Sequence, residues 1–319
     1  MNQVKKVCAS NRHLLFKWIL TGLLPVLNLC VQAQQVKQKP AETSLDSLSE
    51  EFTEPTFLKN WQLLHTIENF PDKIRSVGID KGLLSLQPYA SGWYGDYQAP
   101  FLFKNISGNF DVRTKIKVSG LSQSLPQNEW SLAGLMVRQA SPRTSDNWEP
   151  RQENWLFFTT GIAEPKSSAV FEVKTTSNSV SNLKLRPAKD GWVELRIVRI
   201  QASFILLYRY PGEEWTIIER FYRPLMPHHL QVGINAYSGW NEIPDNVKRD
   251  PLVFNKTLQK EVPTDMLLQV DYIRFSRPVI DQDKLKSFAV PGFRAPYYTL
   301  GNLLTDYSIT NEQLLQLLN

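Results

Sequence analysis

The chain has 319 residues, 42% hydrophobic and 21% charged, with 11% aromatics, 15 glycines and 20 prolines. That is enough apolar mass for a large core, and it excludes disorder, a collagen-like rod and a polytopic membrane protein. The formal charge of +5 is misleading, because Lys5, Lys6, Arg12 and Lys17 fall in the first 33 residues beside no acid; the remainder carries 32 bases against 31 acids, a balance that argues against nucleic acid or anionic lipid as a partner.

In chain order, residues 1–33 have a basic opening, an apolar stretch over 14–31 and the small-residue ending Val31-Gln32-Ala33. This is the pattern of a cleaved signal peptide, with the mature chain expected to begin at Gln34 and to reside in a bacterial periplasm or outside the cell. Pro25 and Asn28 interrupt the apolar run too early for a comfortable crossing of about 30 Å, so no membrane span is expected in the mature chain. Lipidation at Cys30 is the lesser reading, since Leu29 precedes it where a small residue is wanted. Cys8 and Cys30 are the only cysteines. The mature protein therefore has no disulfide, thiolate zinc site or cysteine nucleophile, and packing alone must hold it. Asn105-Ile106-Ser107 and Asn255-Lys256-Thr257 match glycosylation sequons, which matter only in a eukaryotic secretory pathway.

Residues 34–54 are polar and read as a linker. The packed domain is expected over 55–278, where the dominant signal has period two. Phe110, Val112, Thr114, Ile116 and Val118 alternate with Asp111, Arg113, Lys115 and Lys117, as in a half-buried strand. Further strands are predicted over 132–138, 155–160, 170–175, 192–200, 204–210, 216–221, 230–236 and 267–275. Turn signals such as Asp80-Lys81-Gly82, Ser107-Gly108-Asn109 and Pro211-Gly212 separate them. No useful helical stripe interrupts this stretch, so the fold expected is all-β, a two-sheet antiparallel sandwich of the jelly-roll type with a dozen or more strands. Residues 279–319 read as an extension closing in a short amphipathic helix, with Thr310 as its cap, Gln313 three residues on, and leucines at 314, 315, 317 and 318.

Several phrases in this order carry a family resemblance: APFLFKNISGNFDVRTKI from Ala99, AGLMVRQ from Ala133, GWVELRIVRIQASFILLYRYPGEEW from Gly191, LQVGINAYSG from Leu230 and VDYIRF from Val270. Over 55–278 the chain resembles the DUF1349 family of secreted bacterial proteins, concanavalin A-like relatives of the lectin and glucanase jelly rolls. The resemblance implies one concave sheet and a role in binding or processing carbohydrate. The linker and the tail lie outside it.

Sugar rings offer an apolar face and a rim of hydroxyls, so a glycan site needs aromatic platforms beside planar polar side chains. Three turn-rich stretches have that mixture: 91–97 with Trp93, Tyr94 and Asp96; 141–155 with Arg143, Trp148, Glu149, Arg151, Glu153 and Trp155; and 237–249 with Trp240, Asn241, Glu242 and Asp245. Arg138 shares a strand face with Leu132, Gly134 and Met136. Its fork is suited either to a sugar or to a structural pair with an acid such as Glu172. The expected glycan-binding set is Trp93, Tyr94, Arg138, Trp148, Glu153, Trp155 and Trp240.

Catalysis has less sequence support. Glycoside cleavage needs two carboxylates about 5 to 10 Å apart, and laminarinase-like jelly rolls carry theirs as Glu-x-Asp-x-x-Glu, a stretch missing here. Glu149 and Glu153 are the remaining pair to consider. Adjacent His228 and His229 point to opposite strand faces and make poor joint ligands. No Gly-x-Ser-x-Gly elbow or nucleotide loop occurs. No cofactor is expected; calcium on loop oxygens, with Asp96 or Asp245 contributing, fits the fold without leaving a sequence trace. The sequence thus favours a secreted, non-catalytic carbohydrate-binding sandwich. The alternatives are a glycoside hydrolase, or an envelope scaffold that docks a partner through Leu314, Leu315 and Leu318. Oligomeric state leaves no signal.

Overall fold

A computed structural model describes residues 43–164, 168–281, 284, 304–305 and 309–318. The signal segment expected at 1–33 lies outside these residues. Among the described residues fourteen strands form. The first seven are β1 (Gln62–Leu63), β2 (Ile74–Asp80), β3 (Leu83–Pro88), β4 (Phe101–Ser107), β5 (Phe110–Gly120), β6 (Ser131–Arg138) and β7 (Trp155–Ile162). They are followed by β8 (Val170–Ser177), β9 (Val180–Pro187), β10 (Val193–Ile200), β11 (Ser203–Arg209), β12 (Thr216–Tyr222), β13 (His229–Tyr237) and β14 (Met266–Ser276). They pair antiparallel into two seven-stranded sheets, ordered β1-β4-β13-β6-β7-β8-β9 and β12-β11-β10-β5-β14-β3-β2. The expected all-β two-sheet sandwich is the observed fold.

Alternation decides which side chains meet between the sheets. From the first sheet Leu135, Val137, Leu156, Phe158, Phe171, Val173, Val232 and Ile234 face inward. From the second come Val112, Ile116, Leu195, Ile197, Leu206, Leu268 and Val270. Each fully buried side chain of this kind contributes about 1.5–3 kcal/mol, so the core suffices without a disulfide.

The outer faces are also covered, which the alternation does not reveal. On the first sheet's outer face Phe101, Phe103, Met136, Trp155, Phe157 and Tyr237 cluster with Leu64, Trp93 and Ala99 from outside the sheet. Every residue of β6 and β7 is consequently buried. Against the second sheet pack Leu304, Ile309, Leu314, Leu317 and Leu318, which meet Val198, Ile205, Leu207, Trp215 and Ile217.

Several expectations are corrected. Part of the supposed linker is a packed element: Leu45 and Phe52 enter the core, and Glu50 exchanges backbone bonds of 2.8 and 2.9 Å with Ile273. Strands β1 to β4 and β9 exceed those predicted. Three short helices, α1 (Leu64–Glu68), α2 (Asp245–Lys248) and α3 (Pro251–Lys256), occur where no helical stripe was visible. The sequon at Asn255 is closed to glycosylation, because its buried amide donates to Asp96 O and accepts from Gln98 N–H.

The C-terminal helix α4 (Asn311–Leu318) starts with the expected cap. Gln313 N–H donates to Thr310 Oγ1 at 3.2 Å, and Thr310 N–H to Gln313 Oε1 at 2.9 Å. Its leucines do not offer a docking face, however: Leu314, Leu317 and Leu318 are spent on the chain's own sheet. That removes the physical basis of the scaffold alternative. Leu314→Ala is expected to lower stability by about 2–5 kcal/mol in urea unfolding; a loss below about 0.5 kcal/mol would show that the helix is not docked.

Candidate functional site

The outer face of the first sheet divides into two parts. Its closed part lies beneath α1 and the loop 89–100, where Trp93 meets Trp155 edge-on at 5.9 Å and Trp155 stacks on Phe157 at 5.1 Å. In the row carrying Trp155, Arg138 is fully buried. Its Nε and Nη2 bond Glu153, with Nε to Oε2 at 2.8 Å, while Nη1 reaches Glu68 Oε1 at 2.7 Å and Gln231 Oε1 at 2.9 Å. Gln98 closes the network by donating to both glutamates, at 2.7 and 3.0 Å.

Burial disfavours the guanidinium charge, but the two carboxylates outweigh it and leave Arg138 above its ordinary value. Glu68 is raised, chiefly by burial, with Arg138 opposing and Glu153 adding repulsion. Arg138 and Glu153 are thus committed to each other under the surface. The partner suggested from sequence, Glu172, pairs elsewhere.

Toward the β13 and β8 rim the face opens into a pocket of about 350 Å³, lined by Gly92, Trp93, Tyr94, Trp130, Glu164, Lys174, Leu183, Tyr237, Trp240 and Asn241. Its floor is an ionic cluster. Glu172 is fully buried and pairs with Lys174 Nζ at 2.6 Å, accepts from Thr159 Oγ1 at 3.1 Å and takes the Tyr237 hydroxyl as a further donor. Burial, and then the Glu172 charge, push the Tyr237 phenol well above its usual value. Lys174 also donates to the Trp93 carbonyl at 2.9 Å, so one ammonium fixes both the carboxylate and the 89–100 loop.

The walls follow from close packing. The Trp240 ring lies against Gly92 so tightly that a Cβ there would sit 2.4 Å from its Cε3. Tyr97 and Phe254 brace its other side at 5.2 and 5.4 Å. Trp130 adopts a left-handed backbone, φ 53°, and its indole N–H donates to Glu164 Oε2 at 3.2 Å. Two amide–carboxylate bonds, Asn241 to Glu129 at 2.9 Å and Asn128 to Glu242 at 3.0 Å, tie the loops carrying the two indoles together.

Of the expected residues, Trp93, Tyr94 and Trp240 come together here. Arg138, Glu153 and Trp155 lie buried outside the pocket lining, and Trp148 sits in the 139–154 loop away from it. Trp130, Glu164, Lys174 and Tyr237 belong to the pocket without having been singled out. For Trp130 the signal was present in Asn128-Glu129-Trp130, the same polar-aromatic mixture that marks the other loops. The acid pair considered for catalysis is not assembled: Glu149 is exposed on Arg143, and Glu153 is buried on Arg138. Among the described residues no group of three His, Cys, Asp or Glu is placed to hold a metal, and no helix is long and apolar enough to cross a membrane.

No family model matches the chain, and a search of curated proteins finds no match; the two-sheet sandwich implied by the resemblance is present, and membership of DUF1349 is not supported. Among solved structures, the chain is similar to a xylan β-1,4-xylosidase from Bacillus halodurans C-125, at 14% identity and TM-score 0.51, over 76% of this chain and 41% of that one. It is also similar to a functionally unknown protein from Saccharomyces cerevisiae, at 13% identity and TM-score 0.49, over 69% and 98%. A third is LamA from Z. galactanivorans in complex with laminaritriose and laminaritetraose, at 11% identity and TM-score 0.43, over 74% and 99%. The likeness defines a class, the two-sheet sandwiches related in fold to carbohydrate-active enzymes, and this chain spans less than half of the xylosidase. The expectation of a non-catalytic protein is corrected on this point: the sandwich is shared with an enzyme, the xylosidase, so the architecture gives no ground for setting catalysis aside.

The buried network makes a direct prediction. Arg138→Gln leaves two facing carboxylates without a cation and is expected to cost about 3–5 kcal/mol at pH 7. With the guanidinium gone both carboxyls have raised folded values, so the stability lost at pH 7 returns as pH falls toward the ordinary carboxylate range. Denaturant unfolding at pH 7 and pH 5 checks this; an equal cost at both values would contradict it.

Proposed function

We propose that the protein is a secreted glycoside-processing enzyme that holds a sugar unit of its substrate in the Trp130–Trp240 pocket. The observation that carries this reading is the pocket itself, with two braced indoles and an exposed tyrosine over a floor of fixed polar groups. Aromatic walls suit the apolar face of a pyranose, and Asn241, Tyr94 and Glu164 suit its hydroxyl rim. Glu164 is the carboxylate in the lining and takes the acid/base role at the glycosidic oxygen. Glu164 gives its proton to the departing glycosidic oxygen as a solvent water adds to the anomeric carbon and returns a proton to Glu164 or to solvent; Glu172 touches no substrate and holds the Tyr237 hydroxyl protonated and oriented as a donor to the sugar. The fold shared with the xylosidase supports a carbohydrate substrate, and the basic-apolar opening of the chain supports a location outside the cytoplasm.

Reducing-end release from xylan and from β-1,3-glucan, with oligosaccharide binding followed calorimetrically, tests the proposal. Glu164→Gln is expected to cut release by about 100-fold or more while binding persists; Trp240→Ala is expected to weaken binding about tenfold or more. Release unchanged in Glu164→Gln would overturn the assigned role. Binding untouched in both Trp130→Ala and Trp240→Ala would overturn the site.

A further inference from the structure

A second cavity, of about 420 Å³, lies where the β6–β7, β8–β9 and β12–β13 connections meet, and it shares no lining residue with the first. Its character is different. Arg223 is its one charged lining residue, and no acidic side chain lines it. The Arg223 guanidinium is half-buried, with Nη1 donating to Thr175 Oγ1 and Nη2 to Thr176 O at 2.8 Å. Arg138 and Lys174, buried in the first sheet's networks, each have a carboxylate. Arg223 has only a hydroxyl and a carbonyl. Two of its five N–H donors are thereby used, which leaves part of the planar fork for a ligand. Burial lowers its proton affinity, the direction expected of a cation short of compensating negative charge.

Of the groups around it, Asn154 is partly committed: its Nδ2 donates to Gln152 O at 3.3 Å and keeps one N–H over. Asn154 Oδ1 accepts from Asn178 N–H at 3.0 Å and so fixes the β8–β9 turn. Asn178 in turn holds a left-handed backbone, φ 46°, which sets its side-chain amide at the cavity lining without a bond inside the protein. The Gln139 amide and the Tyr222 hydroxyl line the same space, Tyr222 being 46% exposed. A guanidinium fork takes a carboxylate bidentately, side-chain amides pair with vicinal hydroxyls, and a phenol ring covers an apolar sugar face.

We propose that this cavity is a binding site for an acidic saccharide, a hexuronate unit whose carboxylate pairs with Arg223 and whose hydroxyls meet Asn178, Asn154 and Gln139. The site is independent of the Trp130–Trp240 pocket, and its test does not rely on cleavage.

Calorimetric titration of the full chain with oligoglucuronate and oligogalacturonate, against neutral xylo-oligosaccharides and sodium acetate, reads the proposal directly. A uronate oligomer is expected to bind, with affinity reduced about tenfold or more in Arg223→Gln and unchanged in Trp240→Ala. Thermal unfolding monitors the fold of each variant; if Arg223→Gln does not fold, Tyr222→Ala, an exposed change, is expected to weaken uronate binding in its place. No binding of either uronate, neutral oligomers binding as well as uronates in Trp240→Ala, where the first pocket's share is removed, equal binding of acetate, or a loss of uronate binding in Trp240→Ala with none in Arg223→Gln would each overturn the assignment. Failure of cleavage in the first pocket leaves these readings unaffected, so the two proposals fall separately.

Discussion

The pocket depends on one buried ion pair. Glu172 has no solvent contact, and an ionised carboxylate in that position is sustained only if its charge is matched and its lone pairs are occupied. Lys174 supplies the charge at Oε1, while Thr159 and Tyr237 both donate to Oε2. Because the same ammonium binds the Trp93 carbonyl, the pair also fixes the 89–100 loop; that loop brings Gly92 under Trp240, and Trp240 forms the wall. The sequence of contacts runs from a strand pair to an aromatic platform with no free joint, which is how a site on loops acquires the rigidity of the sheet beneath it.

The two outer faces of the sandwich are handled differently, and function follows the difference. The second sheet's outer face is covered over β10 to β12 by leucine and isoleucine of the C-terminal segment, which Arg196 and Arg220 pin by donating to the Leu318 and Ile309 carbonyls, each at 2.8 Å. The first sheet's outer face is covered by aromatics, glutamates and cations, partly closed over Arg138 and partly open over Lys174. Polar groups buried at this density carry a desolvation cost, and they are justified where they hold other groups in place for a ligand.

The strands were legible because each sheet buries one face against the other, and a period of two records that contact in residues such as Phe110, Val112 and Ile116. What a period of two does not record is whether the opposite face is later covered. Arg138, Glu172 and Lys174 occupy positions that read as a solvated or half-solvated face, yet α1 and the 89–100 loop bury them. The partners of Arg138 come from Glu68 and Glu153, far apart in the chain and joined only by tertiary packing, so local spacing does not point to the pair. Strand β9 escaped for the converse reason: it is an edge strand with Val180 and Leu183 exposed, and it lacks the burial that creates a clear alternation. The Thr310–Gln313 cap was legible because its two bonds are local, and the grouping of Trp93, Tyr94 and Trp240 because each lies in a turn-rich stretch that mixes rings with polar side chains.

A crystal structure of the protein soaked with a xylo-oligosaccharide or a β-1,3-gluco-oligosaccharide tests the central claim most directly. The account predicts a pyranose ring between Trp130 and Trp240, with its hydroxyls on Asn241 and Glu164 and with the Glu172–Lys174 pair intact below. Sugar density located elsewhere, with the Trp130–Trp240 pocket left empty at saturating ligand, would contradict it.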